Sequence, residues 1–303
     1  MKLFIKISIG FLFLVTIVVG YLLYYVAPYG IVLLNRYSHA QLVQLLNNKT
    51  TPDKFGLKYK ELRVKVEDTI TLKGWYIPSQ KKSQTTVIVL HGIGSCKEFM
   101  LPTAKILSDN GFNAVLFDIR GNGESGGTYC TYGYYEKNDV SRIIDYLVKK
   151  DSTEIFGIYG NSLGGAIALQ SMAQDKRIKC GIIESSFATL REIVSDYMQR
   201  MYFWGPMFLS NIALNHAAEM AKFNPDEVLP ELSAKYISNP VYVAHGENDI
   251  HINFIYGLRI YNNLKSTQKE WHLIHGADHH TLYSIGGKPY INSILSFLHR
   301  NLK

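Results

Sequence analysis

The chain has 303 residues, 19% charged and 47% hydrophobic, enough for one large domain with a substantial core. Its formal charge of +7 comes from scattered lysines with no block of like charge and no clustered basic face, which argues against nucleic-acid binding. The three cysteines, Cys96, Cys130 and Cys180, are odd in number and widely spaced, against both a disulfide framework and a zinc site.

Residues 7–34 carry no charge, Lys2 and Lys6 precede them, and Arg36 follows. About 20 apolar residues cross a bilayer as a helix. Tyr21, Tyr24, Tyr25 and Tyr29 cluster toward the far end, where amphipathic rings favour the membrane interface. A cleaved signal peptide would have a shorter apolar core ending in small residues; this run is long and ends in bulky ones. Residues 1–34 are therefore expected to be an uncleaved anchor. The basic start is expected to place the N-terminus in the cytoplasm and the rest of the chain on the non-cytoplasmic side. Residues 35–60 read as a linker with one short helix, which Ser38 would cap.

From residue 61 the pattern changes. Residues 61–66 and 69–77 alternate with period two around Glu67-Asp68, a hairpin that Pro78 ends. Apolar strands are expected at 86–90, 114–117, 154–159, 178–183, 241–244 and 271–274. Helices are expected at 97–109, 134–149, 163–173, 252–264 and 290–302. Such alternation implies right-handed βαβ crossovers, hence an α/β fold. With the hairpin it makes a mostly parallel sheet of eight strands with helices on both faces. One connection is far too long for this rhythm, and it holds Tyr197, Met198, Met201, Trp204 and Phe208. Residues 187–238 are expected to form a small helical cap over a cleft.

The chemistry centres on Gly160-Asn161-Ser162-Leu163-Gly164, which reads G-x-S-x-G between a strand and an alanine-rich helix. A serine on so sharp a turn projects its hydroxyl into a cleft. The Leu163 amide at the helix start can face a developing oxyanion. Gly123-Glu124-Ser125-Gly126-Gly127 fits the same pattern, and Gly121, Gly123 and Gly126 fit a dinucleotide motif. No helix follows either, so both read as a glycine-rich turn.

A serine nucleophile needs a base, and the base needs an orienting acid. In a parallel sheet both should follow strands. Asp249 lies just past the strand at 241–244, with Glu247 as the alternative acid. A helix N-cap is the structural reading of Asp249. His279 lies past the strand at 271–274, with His280 next in line. A metal site using His275 and His279 would need a helix where Gly276 signals a turn, and Cys96 has no base partner, so neither metal nor cofactor is expected. The second oxyanion amide should come from Ile93, in the loop His91-Gly92-Ile93-Gly94.

The order Ser, Asp, His, together with His91-Gly92, Asp118-Ile119-Arg120-Gly121, Gly160–Gly165, His245-Gly246-Glu247-Asn248-Asp249 and Gly276-Ala277-Asp278-His279, resembles the α/β-hydrolase superfamily. It is most similar to the serine aminopeptidase-like and monoacylglycerol-lipase-like group, over about residues 61–302. The resemblance implies a serine hydrolase with no cofactor, structural roles for Asp118 and Arg120, and, with the anchor, a lipid-like acyl ester or thioester as substrate. Alternatives are a serine peptidase of this fold and a non-catalytic membrane-tethered interaction domain.

Overall fold

The computed structural model describes residues 2–150, 155–202 and 207–302. Glu154, Phe203, Trp204 and Pro206, assigned above to a strand and to the cap, lie outside the described residues.

The chain opens with helix α1 (Lys2–Tyr21), a π-helical turn (Leu22–Val26) and α2 (Ala27–Val32). The widened turn has a local cause. Pro28 has no N–H to give to the carbonyl one turn back, and its ring crowds that carbonyl. Phe4–Val32 is a single helical stretch long and apolar enough to cross a membrane; its apolar window is unburied by the rest of the chain, while Pro28 and Val32 at its far end are buried. The short helix α3 (His39–Leu45) starts as expected. Ser38 accepts the Gln41 amide, and the Gln41 side chain accepts the Ser38 amide.

Among the described residues, eight strands form one sheet: β1 (Lys60–Lys65), β2 (Thr71–Ile77), β3 (Thr85–Leu90), β4 (Asn113–Phe117), β5 (Ile155–Asn161), β6 (Ile178–Glu184), β7 (Val241–Gly246) and β8 (Lys269–Ile274). Their order is β1-β2-β4-β3-β5-β6-β7-β8, with the β1–β2 and β2–β4 pairs antiparallel and the other pairs parallel. Helices α4 (Leu101–Asp109), α5 (Glu136–Val148), α6 (Leu163–Gln174), α7 (Leu190–Tyr202), α8 (Met207–Ala221), α9 (Pro230–Ala234), α10 (Phe254–Asn263) and α11 (Leu282–Asn301) complete the fold. Alternate β3 residues point to opposite cores. Ile88 and Leu90 join α5, α6 and α10, while Val87 and Val89 join α4 and α11. Covering both faces explains why β3 is buried throughout rather than on alternate residues. Each such aliphatic, fully buried, contributes about 2 kcal/mol.

Two helix boundaries differ from expectation. The helix expected at 97–109 begins with a 3-10 turn, and α4 proper starts at Leu101, where Pro102 suits a first turn. The last helix starts at Leu282 rather than Tyr290. Gly287, at φ 57°, kinks it just before Pro289, so a pair of helix breakers is absorbed within one element.

Candidate active site

β5 runs into α6 through one residue, Ser162. Its φ of 55° and ψ of −119° are strained for an L-residue. Its neighbours allow the turn. A Cβ on Gly160 would lie 2.2 Å from the Gly164 carbonyl oxygen, and one on Gly164 would lie 2.4 Å from that of Leu90. Only glycine fits at either position. The Ser162 amide donates to the Glu184 carbonyl at 2.8 Å, tying the turn to β6. Leu163 opens α6, so its N–H has no partner within the helix.

The loop after β3 lies against this turn, since a Cβ on Gly92 would sit 3.2 Å from the Ser162 Cβ. Buried His91 holds the loop. Burial lowers its pKa against the pull of Asp118, so the ring is neutral. Nδ1–H donates to the Gly92 carbonyl at 2.9 Å, and Nε2 accepts the Ile119 amide at 3.2 Å. Ile93, Leu163 and Ser162 line one cavity of about 260 Å³, which is apolar elsewhere and includes Phe187, Tyr197 and Met198.

Asp249 and His279 come together from the loops after β7 and β8. Those loops touch along their backbones. Asn248 donates to the Ala277 carbonyl at 2.8 Å, and a Cβ on Gly246 would meet that oxygen at 2.6 Å. His279 Nδ1 lies 2.7 Å from Asp249 Oδ2, both residues buried. Burial would raise the Asp249 carboxyl. Hydrogen bonds from His245 and His279, the electrostatic pull of the His279 ring and the Ile252 amide outweigh it and hold the group well below the usual carboxylate range. Asp249 is not the N-cap of α10, and its two oxygens have separate partners. Oδ1 accepts the amides of His251 and Ile252, each at 2.8 Å, while Oδ2 faces His279. Helix α10 itself is capped by Asn253.

The alternatives point elsewhere. Glu247 accepts the Gly276 amide at 3.2 Å and faces His275 Nδ1 at 3.3 Å. His275 and His279 thus serve different carboxylates. His280 is exposed, its ring 5.1 Å from that of His279. Asp278 closes its own turn by accepting from the His280 amide and the Thr281 hydroxyl, each at 2.8 Å. Two more histidines, which the sequence reading gave no role of their own, lie close to this pair. His245 is fully buried, with Nε2 at 3.4 Å from Asp249 Oδ2 and 2.8 Å from the Ile252 carbonyl. The His251 ring lies 5.5 Å from that of His279. Only their spacing of four and two residues from Asp249 could have marked them.

The other motifs are structural. Ser125 Oγ donates to the Asp118 carbonyl at 2.7 Å and accepts the Lys73 amide at 2.9 Å. Arg36 donates to the carbonyls of Gly123, Ser125 and Gly127, clamping that glycine-rich turn. Arg120 pairs with Asp139. Cys96, Glu98 and Asp118 converge as metal ligands could. The Lys97 ammonium already satisfies both carboxylates, at 3.0 Å from Glu98 and 2.8 Å from Asp118. Burial and Glu98 push the Cys96 thiol far up, so it is a poor nucleophile.

A strained serine at the β5–α6 turn of this eight-stranded sheet, with acid and histidine loops after later strands, marks the α/β-hydrolase superfamily, and the protein is a hydrolase of that fold. The chain belongs to the prolyl oligopeptidase family, whose model matches residues 97–303. It is 25% identical over 232 residues to the uncharacterized protein YqkD of Bacillus subtilis, covering 75% of each chain. It is 27% identical over 195 residues to the lysophosphatidylserine lipase ABHD12 of Xenopus tropicalis, spanning 62% of this chain and about half, 49%, of that protein. Among solved structures, the Pyrococcus furiosus esterase Pf2001 superposes with a TM-score of 0.70 at 24% identity, over 84% of this chain and 95% of that one.

Proposed function

We propose that the protein is a membrane-anchored serine hydrolase that cleaves an acyl ester or thioester of a lipid-like substrate through an acyl-enzyme on Ser162. Ser162 Oγ attacks the acyl carbonyl while His279 Nε2 takes its proton. Asp249 orients the ring through Nδ1–H, and the amides of Leu163 and Ile93 hold the oxyanion. His279 returns the proton to the departing alcohol or thiol. It then activates the water that releases the acid. In this reading residues 1–34 are the anchor, residues 61–303 the catalytic domain, and 187–238 its cap. Lys2 and Lys6 favour a cytoplasmic N-terminus and a catalytic domain on the other side.

The observation that carries the reading is Ser162 in the wall of an apolar cavity, which suits an acyl chain better than a polar peptide. The lipase activity in the name of the Xenopus relative makes a lysophospholipid the first natural ester to try. A peptide substrate is the second reading, favoured by the name of the family. The test is the full chain in detergent micelles with p-nitrophenyl butyrate, a lysophospholipid and an N-acyl peptide amide, alongside Ser162→Ala. Ester turnover that vanishes in the variant supports the proposal. Faster turnover of the amide would move it to peptidases. A folded protein that turns over nothing would favour the tethered interaction domain.

A further inference from the structure

About 20 helical residues cross the hydrocarbon of a bilayer. The apolar helix Phe4–Val32 has 29. The surplus falls at the end that joins the hydrolase fold, and there the helix is fastened. The Val32 carbonyl accepts the Cys130 amide at 2.9 Å, and the Ile31 carbonyl accepts the Tyr132 hydroxyl at 2.5 Å. The Tyr24 ring stacks on His216 of α8 at 3.9 Å. Val32 and Pro28 are buried. This end is a part of the folded body rather than a tether.

Its inner face carries Val26, Ala27, Gly30 and Ile31, at spacings that put them on one side of a helix. All four line the cavity that holds Ser162, facing Tyr197, Met198 and Met201 of α7. Gly30 is exposed at the rim. A Cβ built there meets no atom within 4 Å, and its backbone is helical, so the fold does not require glycine. What the glycine leaves is an opening. Met201, across the cavity on α7, and Tyr29, beside Gly30 in the chain, expose apolar side chains.

We infer that the end of the anchor helix is one wall of the acyl site, that Gly30 sets the width of its opening, and that an acyl chain passes from the lipid leaflet over Gly30 toward Ser162. The inference rests on the serine-hydrolase reading and adds a specificity residue outside the catalytic fold. The occupant is a bilayer-embedded acyl chain, because the groove is continuous with the membrane-length helix.

The test uses full-length Gly30→Leu and Gly30→Trp in liposomes, with Gly10→Leu as a control in the lipid-facing stretch, where there is also open space. The ratio of kcat/KM for p-nitrophenyl laurate to that for the acetate should fall about tenfold in the Gly30 variants and not in the control. An unchanged ratio overturns the inference. Met201→Trp, which narrows the opening from the other side, should lower the ratio likewise if the Gly30 variants do not fold. Binding of a fluorescent laurate analogue to Ser162→Ala separates this inference from the hydrolase reading. Weaker binding when Gly30→Trp is added supports the wall even if no form of the protein turns over ester. Unchanged binding overturns it.

Discussion

His279 Nδ1 lies 2.7 Å from Asp249 Oδ2, while the other oxygen of that carboxylate is held by two backbone amides. The carboxylate can neither rotate away nor readily take up a proton. Its charge keeps the proton on Nδ1 and leaves Nε2 free to accept from a hydroxyl. Asp249→Asn should preserve the fold and cut kcat for ester hydrolysis by about 10⁴-fold, because the amide favours the wrong tautomer. Steady-state kinetics with p-nitrophenyl butyrate measure this.

The two adjacent histidines should separate cleanly. His279→Ala should lose turnover by at least about 10³-fold. His280→Ala removes an exposed ring with no bond to Asp249 and should keep most of it. Comparison of kcat for the two purified variants is the check, and the reverse ranking would reassign the base.

The elbow leaves no room for a methyl group. Gly164→Ala puts a Cβ 2.4 Å from the Leu90 carbonyl oxygen, backbone that cannot yield without moving β3. Stability should fall by about 3 kcal/mol, at the upper end of overpacking costs. Urea unfolding of wild type and variant measures it.

Glu184 lies beneath the elbow, its carboxylate taking hydrogen bonds from Tyr159 and, at 2.5 Å, Tyr290. Burial raises its pKa despite these bonds. The sign follows from linkage. The folded state holds this proton more tightly than the unfolded chain, so the contribution is fully present below the ordinary glutamate range and is lost as pH rises through the raised value. Asp249, held low, acts in the opposite sense, losing its contribution as pH falls below the ordinary aspartate range. Glu184→Gln should therefore flatten the decline in melting temperature between mildly acidic and alkaline pH. Thermal unfolding across that range tests it.

Much of this was legible in the sequence because it is local. Apolar runs marked the strands, and a serine between glycines, flanked by a strand and a helix, marked the elbow. Asp249 and His279 could be placed because parallel strands end on one edge of the sheet. What stayed hidden depends on contacts between distant segments. Residues 26–31 look like any membrane helix until α7 and α8 fold against them, and only then does Gly30 line a cavity. His245 gains meaning only when β7 buries it beside Asp249. The kink in α11 was hidden for another reason. Gly287 and Pro289 read as breakers, and only packing of Tyr290, Ile294 and Leu298 on the sheet carries the helix past them.

The most direct test of the central claim is to map where a fluorophosphonate attaches to the intact protein, by mass spectrometry of the whole chain and of its peptides. The account predicts one adduct on Ser162, absent from Ser162→Ala and formed far more slowly in Asp249→Asn. Undiminished labelling of Ser162→Ala, or an adduct on Ser125 or any other serine in the wild type, would contradict it.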